Sequence, residues 1–178
     1  MKLHFDSKQE FQLEAVKAIT DIFEGQPLSG NDFEFTMGQS GTLLKENGFG
    51  NNLVFSKINQ VAENIQLVQK NNGIKISTED EIISNGWNFS VEMETGTGKT
   101  YVYLRTIYEL NKLYGFKKFV IVVPSIAIRE GVMKNLEITE EHFQNLYDKV
   151  PVTSNVYDSR KVSGLRSFAS ANTIQILV

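Results

Sequence analysis

Apolar residues recur at helical spacing in two stretches of the first half of the chain. The first stretch contains Phe11, Ala15, Val16, Ile19, Ile22 and Phe23, and the second contains Ile58, Val61, Ile65 and Val68. Such spacing places apolar side chains on one face of a helix. We therefore predict a helix that begins with a capping box at Ser7–Glu10 and ends at Gly25, and a second helix from about Ser56 to Asn71.

Between and after these helices the pattern is weaker. Residues 26–55 contain five glycines and little periodicity, apart from a short strand suggested by the letters FEFT. A short helical turn is predicted at TEDEII, before Gly86.

After residue 87 the pattern becomes a regular alternation of strands and helices. Strands are predicted at WNFSVEM, FKKFVIVV, VPVTSNVY and TIQILV. Helices are predicted at KTYVYLRTIYELNKLY and from Ser125 to about Leu136, with a short turn or helix at SGLRSFAS. This alternation is typical of the α/β class with a mostly parallel sheet, in which we expect VEM, FVIVV and IQILV to be neighbours.

Composition narrows the choice of function. The net charge is −3, so any contact with nucleic acid must be local rather than a property of the whole surface. There is no cysteine, which excludes disulfides and suits a cytoplasmic protein. The longest apolar run, FVIVV, is far too short to cross a bilayer, so we expect no membrane segment.

A glycine-rich turn, TGTGKTY, lies between a predicted strand and a predicted helix. Glycines allow successive N–H groups to curve around an anion, and the positive end of the helix dipole faces the same point. Lys99 can then reach the β- and γ-phosphates of a nucleotide, and the Thr100 hydroxyl can bind Mg²⁺. Met93 stands where the strict pattern has glycine, and the alternative is a simple turn that joins strand to helix.

The segment METGTGKT resembles motif I of superfamily 2 helicases. The longer stretch VEMETGTGKTYVYLRTIYELNKLYGFKKFVIVVPSIAIREGV resembles the Res subunit of type III restriction enzymes, with weaker similarity in FQLEAV and in NNLVFSKINQVAENIQLVQKNNGI. The resemblance implies a three-layer, RecA-like P-loop NTPase fold. The expected organisation is an N-terminal helix (1–25), a helical and loop insertion before motif I (26–86), and the first part of helicase lobe 1 (87–178).

The resemblance also implies roles for individual residues. Those expected at the nucleotide are Gln12, Thr95, Gly96, Thr97, Gly98, Lys99, Thr100 and Tyr101. Gln12 would contact adenine, although Gln9 is a competing candidate, and Phe5 or Phe11 could pack on the base. For Phe11 we favour packing in the core. Ser125 and Arg129, in the segment that resembles motif Ia, would contact DNA, although an N-cap and a solvated charge are the simpler interpretations.

The implied activity is that of an ATP-dependent DNA translocase and endonuclease with ATP, Mg²⁺, double-stranded DNA and the methyltransferase (Mod) subunit as ligands and partners. A type I restriction motor, an RNA helicase or a non-hydrolytic nucleotide-binding module are alternatives. The family requires a Walker B acidic pair after a strand such as TIQILV, but the chain ends at Val178, and Glu140–Glu141 follow no strand. We therefore expect the N-terminal portion of a larger enzyme, which binds nucleotide without efficient hydrolysis.

Overall fold

The structure, a computed structural model, describes residues 5–28, 32–36, 45–55, 59–160 and 162–178. The chain divides into two compact units. The loop unit comprises 5–27 and Leu53–Glu109, and the sheet unit comprises Leu28–Asn52 and Leu110–Val178. The domain boundaries expected after residues 25 and 86 stay predictions.

Helices dominate the loop unit. They are α1 (Glu10–Thr20, followed by a 3₁₀ turn at Asp21–Phe23), α2 (Gln60–Asn71), α3 (Glu79–Ser84) and α4 (Lys99–Tyr114), whose last turn belongs to the sheet unit. A small core joins the 3₁₀ turn to the next two helices and consists of Ile22, Val61, Ala62, Ile65 and Ile82. The predicted apolar face of α2 is therefore confirmed at Val61 and Ile65, which are buried, and at Val68, which is partly buried against them. Ile58 lies outside the described residues.

The predicted start of α1 is wrong. Gln9 occupies the N-cap position, and no side chain caps the helix. The backbone carbonyl of Ser7 instead accepts a hydrogen bond of 2.6 Å from Arg105 Nη1, so the chain at Ser7 is held in a different arrangement from a capping box. A true capping box occurs at α3, where Thr78 and Glu81 bond each other's backbone N–H groups.

The sheet unit contains a two-stranded hairpin and a parallel sheet. In the hairpin, β1 (Asp32–Thr36) pairs antiparallel with β2 (Lys45–Phe49). The sheet has the order β3-β5-β4, formed by β3 (Lys118–Val120), β4 (Val152–Asn155) and β5 (Ile174–Leu177). Both pairings are parallel, with Ile176 opposite Phe119 on one side and Ser154 on the other.

Helices connect these parallel strands, as the α/β class requires. They are α5 (Ile126–Leu146) and α6 (Val162–Ser170). Helix α5 continues well beyond the predicted end near Leu136, because Thr139 and Phe143 extend its buried face. The central strand β5 is buried along most of its length, with Ile176 completely inaccessible to solvent.

Two predictions about the strands are wrong. WNFSVEM forms no strand: Trp87 has a left-handed backbone (φ 62°), and side chains on both alternating faces of the segment are exposed, so nothing is gained by pairing it. FKKFVIVV was expected to be a buried strand, but only Lys118–Val120 is paired as a strand, and Val120 and Val122 are exposed on one face of it. Among the described residues, no helix is both long and apolar enough to cross a bilayer.

Candidate nucleotide-binding site

The turn Thr95–Gly98 leads directly into α4, which begins at Lys99. Gly96 and Gly98 both have φ 84°, a left-handed conformation that disfavours any residue with a side chain. A Cβ atom at Gly98 would also lie 2.7 Å from Nε2 of Gln12, so the end of that side chain would have to shift. The glycines that defined the motif in the sequence therefore occupy positions where glycine is required.

The turn leaves several backbone donors available. Within the part of the chain that the structure describes, the N–H groups of Thr95, Gly96, Thr97 and Gly98 have no hydrogen-bond acceptor. Lys99, the first helical residue, follows at once, so the positive end of the α4 dipole lies beside these groups. Free amides next to a helix N-terminus suit an anion such as a phosphate group.

Two side chains bond back to the start of the turn. The carbonyl oxygen of Glu94 accepts from the Lys99 ammonium and from the Thr97 hydroxyl, each at 2.6 Å. The Lys99 side chain is exposed, so it lies along the turn without being buried in it. Its cation can move to a bound phosphate by rotation of flexible side-chain bonds.

Thr100, the residue expected to bind Mg²⁺, lies in the first turn of α4. Its hydroxyl hydrogen bonds with Tyr103, one turn along the same helix. Burial raises the pKa of Tyr103, and this hydrogen bond opposes the rise. A hydroxyl oxygen is a suitable ligand for Mg²⁺, so the donor chemistry at this position fits the ion.

Gln12 and Tyr101 also lie at the turn, but their side chains contact protein. Gln12 is buried, and its Nε2 donates to the carbonyl oxygen of Thr97 at 2.9 Å. The Tyr101 ring is buried and stacks on Phe5 with ring centroids 6.0 Å apart. Burial raises the pKa of Tyr101, while the neighbouring Arg105 guanidinium lowers it to a smaller extent.

Gln9, the other candidate for contact with adenine, lies at the N-cap of α1. Phe11 was expected in the core and is instead 47% exposed, because it lies on the outer face of α1.

The residues expected to contact DNA lie in the sheet unit, after β3. Ser125 is the N-cap of α5, and its hydroxyl accepts from the N–H of Ile128 at 3.3 Å. Arg129 forms an ion pair with Glu130 at 2.9 Å. Both residues line an open, mostly apolar cleft at the carboxyl ends of β3 and β5, together with Val122, Pro124 and Tyr157. Ser125 is therefore an N-cap, which is compatible with a contact to DNA, and that contact stays a prediction.

Sequence reasoning missed Arg105 and Asn51. Arg105 is 7% exposed and joins α4 to the backbone at Ser7. Its position four residues after Tyr101, within the buried face of α4, was the available signal. Asn51 bonds the backbone at Lys117 and Lys118 through its side-chain amide. No local pattern distinguishes that asparagine from other loop asparagines.

Comparison with known proteins places these features in a family. The model of the family described as "Type III restriction enzyme, res subunit" matches residues 9–178. The Res subunit of the type III restriction-modification enzyme EcoPI from Escherichia phage P1 is 40% identical over 112 residues, which is 59% of this chain and 11% of the relative.

Two further relatives give the same result. The EcoP15I Res subunit from Escherichia coli is 40% identical over 107 residues, covering 59% of this chain and 11% of the relative. The StyLTI Res subunit from Salmonella typhimurium is 39% identical over 108 residues, covering 51% of this chain and 11% of the relative. The matches thus cover a small part of each relative. Because the family model matches nearly the whole chain, the chain belongs to the family of type III restriction enzyme Res subunits.

Proposed function

We propose that the chain is the ATP-binding part of an ATP-dependent DNA translocase and endonuclease subunit of a type III restriction-modification system. Family membership and the names of the three relatives support the system. The observation that carries the nucleotide site is the turn Thr95–Gly98, with its two left-handed glycines and with four N–H groups that have no acceptor among the described residues.

Each residue at the turn is proposed to bind a different part of the ligand. The free N–H groups of the turn donate to the phosphate oxygens, and Lys99 leaves the carbonyl of Glu94 to donate to the terminal phosphates. Thr100 offers its hydroxyl to Mg²⁺, which would neutralise phosphate charge when bound. We propose that the parallel sheet β3-β5-β4 and its helices are part of a three-layer, RecA-like P-loop fold.

The cleft that Ser125 and Arg129 line is the proposed site for double-stranded DNA. A helix N-terminus with a hydroxyl and a guanidinium nearby can hold a backbone phosphate, provided that Arg129 releases Glu130. With a net charge of −3, the affinity should be modest and sensitive to salt. The proposed protein partner is the methyltransferase subunit of the same system, and the proposed location is the cytoplasm.

We also propose that these 178 residues bind nucleotide without efficient hydrolysis. Phosphoryl transfer requires carboxylates that hold Mg²⁺ and orient water, in addition to a phosphate cradle. Lys99 and Thr100 belong to the cradle, whereas the adjacent acids Glu140 and Glu141 lie inside α5 and follow no strand. A phosphate-release assay should therefore show no turnover that duplex DNA accelerates.

Calorimetry with ATP and Mg²⁺ tests the nucleotide site. Lys99→Ala should weaken binding at least tenfold, because charge-assisted hydrogen bonds to phosphate contribute about 1.5–3 kcal/mol. The free energy of unfolding should change by less than about 0.5 kcal/mol, since the side chain is exposed. Lys70→Ala is the matched control, because it removes an exposed lysine from α2 in the same unit. Equal ATP affinity of Lys99→Ala and Lys70→Ala would contradict the proposal.

A further inference from the structure

The segment that precedes α1 and the first turn of α1 are attached to α4 and to the turn before it. Three contacts make the attachment: Phe5 stacks on Tyr101 (interplanar angle 15°), Arg105 Nη1 donates to the carbonyl of Ser7 at 2.6 Å, and Gln12 Nε2 donates to the carbonyl of Thr97 at 2.9 Å. Their partners Thr97, Tyr101 and Arg105 are spaced four residues apart. All of these residues belong to the loop unit.

Gln12 is the member of this set that touches the turn itself. A carbonyl oxygen can only accept, so the nitrogen of the Gln12 amide must face Thr97. The same nitrogen would lie 2.7 Å from a Cβ atom at Gly98, which shows how closely the side chain fits against the next residue. Gln12 is only 8% exposed, so its amide is enclosed by protein.

The observed contact of the Gln12 amide is with the turn. Recognition of adenine needs both the donor and the acceptor of the amide to face the base. Here one of the two N–H donors of the amide bonds the backbone of the turn, so the contact that the structure shows is made with the turn itself.

We propose that Gln12 is a positioning residue that holds the Thr97–Gly98 peptide in its phosphate-binding shape. The proposal rests on the proposed nucleotide site. It predicts that loss of the Gln12 donor weakens the binding of every ligand that contacts the turn, including a ligand that has no base.

Gln12→Met tests this, because methionine keeps the length and unbranched shape of the side chain but removes the hydrogen-bond donor. Leu13→Met is the matched control, since it introduces methionine at the neighbouring position of α1 and removes no hydrogen-bond donor. Calorimetry with Mg²⁺ would compare ATP, GTP and inorganic tripolyphosphate. We expect Gln12→Met to weaken the binding of all three ligands by a similar factor of about three to ten, which is the net contribution of one hydrogen bond. Leu13→Met should change the binding of none.

Other outcomes overturn the proposal. A loss of affinity for ATP alone would show that Gln12 recognises the base. Unchanged affinity for all three ligands would show that Gln12 has no role at the site. If Gln12→Met does not fold, Gln12→Asn gives the same comparison, because it keeps the amide but withdraws it from Thr97 by one methylene group.

A measurement without ligand separates this proposal from the proposed function. If the wild type binds none of the three ligands, the proposed function is wrong, and the shape of the turn can still be probed by limited trypsin digestion. We expect Gln12→Met to accelerate cleavage after Lys99 severalfold relative to cleavage after the exposed Lys134, and Leu13→Met to leave the ratio unchanged. Equal ratios in the wild type and Gln12→Met would overturn the proposal.

Discussion

Asn51 holds the beginning of β3 through its side chain. Its Oδ1 accepts from the N–H groups of Lys117 at 2.8 Å and Lys118 at 3.0 Å, and its Nδ2 donates to the carbonyl of Lys118 at 2.6 Å. Strand β5 bonds the other edge here, since Gln175 N–H donates to the carbonyl of Lys117. The asparagine amide therefore takes the place of a neighbouring strand at Lys118. Asn51→Ala would remove all three bonds at once.

The expected cost follows from these three bonds. A hydrogen bond in a protein contributes a net of about 1 kcal/mol, so three give an upper value of about 3 kcal/mol. All three are partly buried, so water can replace some of them in the variant. We expect Asn51→Ala to lower the free energy of unfolding by about 2 kcal/mol. For a chain of this size that corresponds to a fall in Tm of about 4–8 °C.

Urea denaturation followed by circular dichroism measures this loss. The midpoint should fall while the slope m stays constant, because the surface exposed on unfolding is the same. Asn135→Ala is the matched control: it removes one exposed bond to the carbonyl of Gly131 within α5, and its effect should stay within about 0.5 kcal/mol. If Asn51→Ala is no less stable than Asn135→Ala, the side chain does not hold β3.

Two further predictions concern pH. Burial and the neighbouring Lys117 lower the pKa of Lys118 to about 8, from 10.5 in the unfolded chain. Between pH 8 and pH 10.5 the unfolded state therefore binds more protons than the folded state. The stability of the wild type should rise relative to that of Lys118→Met as the pH increases over this range. Urea denaturation at each pH measures the difference. Hydrogen bonds from the backbone and side chain of Thr78 lower the pKa of Glu81 below 4.5. The wild type should therefore be more stable than Glu81→Gln above pH 4.5. This difference in stability should disappear as the pH falls through the pKa of Glu81 in the folded protein, as measured by thermal unfolding.

Elements whose signals are local were predictable from the sequence. Helix α4 ends at Tyr114 before Gly115, which has φ 73°, as the glycine predicted. The parallel arrangement of β3, β5 and β4 followed from the alternation of strands and helices that was predicted after residue 87, although the first strand of that pattern does not form. The glycines of the turn were recognisable because only they adopt the required conformation without strain.

Features that depend on distant partners were not predictable. The apolar letters of WNFSVEM suit a strand, but strand formation needs a paired neighbour and a covered face, and the letters specify neither. The capping-box spacing at Ser7 does not cap α1, and the carbonyl of Ser7 instead bonds Arg105, which lies 98 residues away in the sequence. The contact between Gln12 and Thr97 spans 85 residues, so no pattern around Gln12 indicates it.

The hydrogen bonds of the turn explain why it should attract an anion and not a cation. Side-chain donors occupy the carbonyl oxygens of Glu94 and Thr97, and the N–H of Val102 bonds the carbonyl of Gly98 at 3.0 Å. The four N–H groups from Thr95 to Gly98 are left without acceptors in the described structure. The turn thus has several of its acceptors satisfied and its donors free, next to the positive end of a helix. Gln12 contributes to this polarity by occupying an acceptor, so its loss should affect phosphate binding even though it touches no phosphate.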